Sequence, residues 1–155
     1  MITTDIDFPP ECGCFLRTGY DLEHVSPFAR TEMASGRARQ RRTFRSVPTM
    51  APAALLLDQS QAQIFEAWFT YDAADGTAWF NATLKTPIGY KPYVCRFTEM
   101  YSGPTLTGRN LWRVECRLEI FERPILPELW WDFGRDFIAG SSIIDLAINR
   151  EWPEP

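Results

Sequence analysis

Histidine is almost missing from this chain: His24 is the only one in 155 residues. No serine or cysteine stands at a recognisable nucleophile elbow near it, which argues against a triad or dyad. The common zinc-hydrolase motifs, which need more than one histidine, are excluded as well. Neither a P-loop nor a G-x-G-x-x-G turn occurs. No apolar run approaches the roughly 20 residues that span a bilayer, so no membrane partner is expected. Met1-Ile2-Thr3-Thr4-Asp5 lacks the basic-then-apolar order of a secretory signal, so folding in the cytoplasm is expected. There is no excess of positive charge, the net being −4 and the sequence pI about 5.0. That weighs against nucleic acid as a partner. Internal repeats and low-complexity segments are absent too.

What is present is ordinary for a folded chain: 45% hydrophobic and 23% charged residues. The length suits one domain with a sizeable core. Six Trp and eleven Phe supply large buried areas, while twelve Pro favour strands, turns and extended arms over long helices. Cys12 and Cys14 are too close for an ordinary structural bridge, and Cys95 and Cys116 fall within predicted strands. In a reducing compartment all four read as free thiols acting as small apolar residues. A metal site built from Cys12, Cys14 and one or both of Cys95 and Cys116 is the alternative, but C-x-C is shorter than the usual C-x₂₋₄-C of zinc sites. We therefore assign no metal, cofactor or catalytic residue.

Three regions differ in character. Residues 1–40 are punctuated by Pro9, Pro10, Gly13, Gly19 and Pro27 and have no steady apolar period, as an extended arm would. Residues 41–124 carry the periodic segments of a core domain. Val47 to Leu57 reads as an extended segment held at an edge by Pro48 and Pro52. Asp58 and Gln61 form a capping-box pattern ahead of Ala62, Ile64, Phe65, Trp68 and Phe69, predicting an amphipathic helix from 59 to about 71. Three strands follow, at Thr77–Leu84, Tyr90–Met100 and Leu111–Phe121. In the last, Trp112, Val114, Cys116, Leu118 and Ile120 alternate with Arg113, Glu115, Arg117 and Glu119. Ser102-Gly103-Pro104 and Thr107-Gly108-Arg109-Asn110 read as turns. The expected fold class is mainly β with one helix: an antiparallel sandwich or roll with the helix packed on it. Residues 125–155 form a Trp-rich extension, with a short helix expected at Ser141–Asn149.

Two charged groups and one apolar group are candidate subunit-interface residues. Arg37, Arg39, Arg41 and Arg42, with Arg45, form a basic cluster that reads as a solvated face or as a contact with another subunit. Arg113, Glu115, Arg117 and Glu119 read as an exposed face with cross-strand pairs or as a self-complementary surface. Trp130, Trp131, Phe133, Phe137 and Trp152 make the tail too apolar to stay solvated as one patch, so it reads as packing back on its own domain or as docking on a partner. Asp72 and Asp75 read as solvated turn residues; a hydrolase built on an acid pair is the remaining enzymatic alternative.

The order of segments carries a resemblance. Arg37-Ala38-Arg39-Gln40-Arg41-Arg42 leads into an extended strand. After it come the helix Gln61-Ala62-Gln63-Ile64-Phe65-Glu66-Ala67-Trp68-Phe69 and the strands Ala78-Trp79-Phe80, Tyr93-Val94-Cys95-Arg96-Phe97 and Trp112 to Ile120. Over residues 36 to 122 this order resembles the minor tail protein M family of lambda-like phages, and it is similar to the hexamer-forming domain of distal tail proteins. Residues 1–35 and 123–155 extend beyond the shorter lambda-type protein. The resemblance implies a non-enzymatic structural protein of the virion, assembled in the host cytoplasm. It implies a ring, usually of six copies, at the tail tip, joining the tail tube to the central hub around the end of the tape-measure protein. Its partners would be copies of itself and the tube, hub and tape-measure proteins, with no cofactor. Two other readings are a tail-terminator or tube-like ring subunit, and a small-ligand or carbohydrate-binding β-domain using Trp79 or Trp112 as a platform.

Overall fold

The structure is a computed structural model that describes residues 3–16, 19–34 and 36–151; in the last helix, side chains are described through residue 141 and at residue 143. The chain divides into two compact units, residues 1–124 and 125–155.

The first unit is a six-stranded antiparallel sheet with a helix on one face. Its strands are β1 (Glu23–His24), β4 (Thr49–Leu57), β5 (Phe80–Thr86), β6 (Gly89–Phe97), β7 (Ser102–Thr107) and β8 (Leu111–Ile120). The spatial order is β1-β4-β8-β6-β5, with β7 also paired to β8. A separate two-stranded sheet joins β2 (Phe28–Glu32) to β3 (Ala38–Arg42). The fold is mainly antiparallel β with a helix packed on it, as the alternation of the sequence predicts.

Period-two alternation sets the sheet's faces. The register places Ala51 opposite Leu118, Ala53 opposite Cys116 and Leu55 opposite Val114, all on the buried face. Cys95 and Phe97 continue that face from β6, and Phe80, Ala82 and Leu84 from β5. Helix α1 (Gln59–Tyr71) closes over it with Phe65, Trp68 and Phe69. Trp68 meets Phe80 edge-on at 5.0 Å, and Phe69 meets Phe97 at 5.1 Å and Tyr101 at 4.8 Å. Edge-to-face pairs add roughly 0.5–1.5 kcal/mol each to the burial itself. The helix starts where the sequence predicts: the Asp58 carboxylate accepts from the Gln61 N–H at 2.8 Å, and the Gln61 side chain accepts from the Asp58 N–H at 2.9 Å.

Residues 3–16 border this core. The Phe8 N–H donates to the Asn81 carbonyl at 2.8 Å and the Asn81 N–H to the Ile6 carbonyl at 2.7 Å, so the chain pairs in parallel with the outer edge of β5. Phe8, Cys12 and Phe15 then pack on the aromatic cluster. The single 3-10 turn Pro10–Cys12 is tied to α1 by Gln61, whose side chain donates to the Glu11 carbonyl at 2.8 Å. Leu16 donates to the Ala54 carbonyl at 2.8 Å, on the far edge of β4. Pro52, which has no N–H to offer, sits within that sparsely paired edge.

Three local expectations need correction. Ser102-Gly103-Pro104 is not a turn; it opens strand β7, whose register with β8 slips between Ser102 and Thr105. Gly103 has φ +106°, and a Cβ there would stand 2.7 Å from the Arg113 carbonyl oxygen, so glycine lets the irregular strand lie close to β8. Strand β5 begins at Phe80 and not at Thr77, because the Thr77 and Ala78 N–H groups bond back to the Ala74 and Ala73 carbonyls in the turn after α1. The second unit holds one 24-residue helix, α2 (Glu128–Glu151), far longer than the helix expected at Ser141–Asn149. Its start follows Pro127, whose carbonyl accepts from the Trp130 N–H at 2.9 Å. Gly134, Gly140 and the weak helix formers Trp, Phe and Ile hide this helix from a propensity reading.

Candidate assembly surfaces

The candidate residues fall on three surfaces. The first is the β2–β3 hairpin. Its register pairs Phe28 with Arg42, Ala29 with Arg41, Arg30 with Gln40, Thr31 with Arg39 and Glu32 with Ala38. All ten of these residues are exposed, on both faces. Arg39 and Arg41 share one face with Ala29 and Thr31. Arg42 lies on the other, its guanidinium donating to the carbonyls of Phe44 at 3.1 Å and Arg45 at 2.9 Å. The backbone N–H groups of Thr43 and Phe44 both reach the Pro27 carbonyl and fasten the hairpin's base. Among the described residues, Arg30, Arg37, Arg39, Arg41 and Arg45 make no ion pair. Phe28, Met33 and Phe44 are exposed beside them.

The second surface is the sheet face away from α1, where Arg113, Glu115, Arg117 and Glu119 stand in a row on β8. Each is already paired within the chain: Arg113 with Glu115 at 2.8 Å, Arg117 with Glu23 of β1, and Glu119 with Arg96 of β6 at 2.7 Å. Exposed pairs of this kind contribute about 0–1 kcal/mol each. They leave this face internally neutralised. The Arg96 guanidinium also lies 4.6 Å from the ring centre of Trp79, and Phe121 meets that indole edge-on at 5.4 Å. Trp79 is thereby half-buried, and Trp112, paired with Leu57 and Leu106, is half-buried too. Neither ring lies open as a platform.

The third surface is α2. Trp130, Trp131, Phe133 and Phe137 are all exposed, Phe133 at 84%. Leu129, Phe133 and Phe137 recur every four residues in one apolar stripe. Glu128, Asp132 and Asp136 recur at the same spacing in the row beside it. Trp130 folds against Gly134, where an added Cβ would overlap the indole. Trp152 lies outside the described residues.

Groups suited to catalysis are placed differently. His24 sits in β1 with Nδ1 3.0 Å from the Thr49 hydroxyl. Cys95 and Cys116 are buried in the core, and burial pushes both thiols up to about 12. Burial and the Glu11 charge push Cys12 up to about 11, which keeps it protonated at neutral pH. Only Cys14 of the four is exposed. Among the described residues, no three His, Cys, Asp or Glu side chains cluster as metal ligands would. The Tyr101 hydroxyl donates to the Glu66 carboxylate, fixing the edge of α1 to the chain after β6.

Sequence reasoning missed Glu23 as the partner of Arg117, Arg30 as a member of the basic hairpin, and the acid row of α2. The hairpin had a signal in Ser35-Gly36 between two short runs. The acid row had one in its four-residue spacing. No known protein family, no curated protein and no solved structure matches this chain.

Proposed function

We propose that this protein is a non-enzymatic assembly subunit that copies of itself complete. Following the resemblance over residues 36–122, it would be a ring component at the distal tip of a long-tailed phage tail, positioned between the tail tube and the hub. The observation that carries the reading is the concentration of exposed large apolar side chains on α2: Leu129, Trp130, Trp131, Phe133, Phe137 and Ile138 within ten residues. An apolar strip of this density marks a protein-contact surface. The hairpin supports the same reading, since two strands exposed on both faces are at best marginally stable without a partner.

Native mass spectrometry and negative-stain imaging of the purified full chain, over a concentration series, test the proposal. The expected result is a closed ring, with six copies as the number the resemblance implies. A chain that stays monomeric at its highest soluble concentration, also when mixed with tail-tube protein, would sink it. The fold by itself does not separate a tail-tip ring from a terminator or tube-like ring. Labelled subunits located on intact particles make that distinction.

A further inference from the structure

We propose that α2 of one copy docks along the β2–β3 hairpin of a neighbouring copy, its acid row on the arginines of β3 and its apolar row beside them on β2. This rests on the reading of the chain as a self-assembling subunit and supplies the contact that reading needs.

Charge argues for it first. Residues 28–45, which contain the hairpin, hold six arginines against one glutamate, a net of five positive charges in a chain whose total is −4. Helix α2 holds five acids against two arginines. Glu128 and Asp132 make no ion pair among the described residues, and Asp136 has only a loose one with Arg135 at 3.8 Å. Surfaces of opposite sign that carry unspent charge steer toward each other and fix register.

Spacing argues for it second. Four residues of α-helix rise about 6 Å, so Glu128, Asp132 and Asp136 project at about 6 Å intervals. Alternate residues of a strand are about 6.6–6.8 Å apart, which is the interval of Arg39 and Arg41, with Arg37 leading into them. The two rows therefore stay in step over their full length. On the same hairpin face, Ala29 pairs with Arg41 and Thr31 with Arg39. These short side chains leave a shallow track beside the arginines. Leu129, Phe133 and Phe137 form the row adjacent to the acids on α2, and they fall over that track. The opposite face, with Phe28, Arg30 and Arg42, presents no such track.

Hairpin and helix are different surfaces of one chain, so the contact can be exchanged reciprocally in a two-fold pair or repeat head-to-tail from copy to copy. The head-to-tail form closes into a ring when the rotation permits.

Two charge-reversed full-length variants test the contact: Arg39→Glu with Arg41→Glu, and Asp132→Lys with Asp136→Lys. All four positions are exposed, and far-UV circular dichroism checks that each variant folds. Each variant alone sets like charges against each other, and its self-association should weaken by roughly a hundredfold or more. An equimolar mixture restores opposite charges at both contacts, so the two variants should assemble in alternation, and native mass should show equal numbers of each. Wild-type-like assembly by either variant alone would overturn the docking while leaving the assembly reading intact. Failure of the mixture, with recovery only when all four substitutions sit on one chain, would mean the contact forms within a chain, and would overturn it too. A wild-type chain that never associates overturns both proposals.

Discussion

Gly76 adopts φ +84°, and a Cβ there would come within 3.0 Å of the Phe69 ring and 3.3 Å of the Phe97 Cβ. Backbone strain and overlap with a packed aromatic pair act together, so Gly76→Ala should cost about 1–3 kcal/mol, read from urea denaturation midpoints. Asp75-Gly76 is a turn dipeptide in the sequence, but the close approach of Phe97 depends on packing that no dipeptide encodes. The cysteines separate in a similar way. Alternation along β8 is enough to bury Cys116, whereas nothing near Cys12 in the sequence reveals that it joins the core. A water-soluble alkylating agent followed by intact mass should add one label, at Cys14, to the native protein. The other three should react on denaturant unfolding; rapid native labelling of Cys95 or Cys116 would contradict their burial.

Helix α1 could be read from the sequence to the residue because its start is a local chemical event. The Gln61 N–H, assisted by the Ser60 hydroxyl, holds the Asp58 carboxyl below its ordinary value. A lowered folded value means the cap stabilises the fold at pH above the ordinary carboxylate range, and the benefit is lost as pH falls through the lower folded value. Asp58→Asn keeps a capping oxygen and should lose less stability on acidification than the native protein; Asp58→Ala should be destabilised across the whole neutral range. Thermal melts from pH 7 to pH 3 compare the three. Strand β7 and helix α2 were illegible for related reasons. In β7, Gly103 and Pro104 imitate a turn, while pairing to β8 overrides their preference. In α2, Gly134, Gly140 and a run of Trp, Phe and Ile imitate a non-helical tail, although Pro127 and the proline-free interval 128–152 permit the helix.

At the scale of the molecule, every side chain of the buried hydrophobic core among the described residues lies at or before Ile120. Removing residues 125–155 should therefore leave a cooperatively folding domain that no longer self-associates; calorimetry and native mass give the two readings. Removing residues 1–16 should be far more damaging, since Ile6, Phe8, Cys12 and Phe15 leave the aromatic cluster with them. Loss of one buried aromatic alone costs about 3–5 kcal/mol. The central segments were legible because amphipathic periods report which side faces inward. The partner surfaces were legible only as composition. A row of arginines or tryptophans gives charge or apolar area, while the direction in which it is presented comes from the register of β2 with β3 and the turn of α2.

The parallel pairing of the chain's start with Asn81, and the bond from Leu16 to Ala54, have a consequence for how copies meet. A strand approaching either border meets this segment at Asn81 or at Ala54, which interrupts the run of open amides and carbonyls there. Polymerisation through shared β-structure, the usual hazard of an unprotected border, is discouraged there. In the proposed assembly, contact between copies at these two borders would then fall to side chains more readily than to a continued ladder.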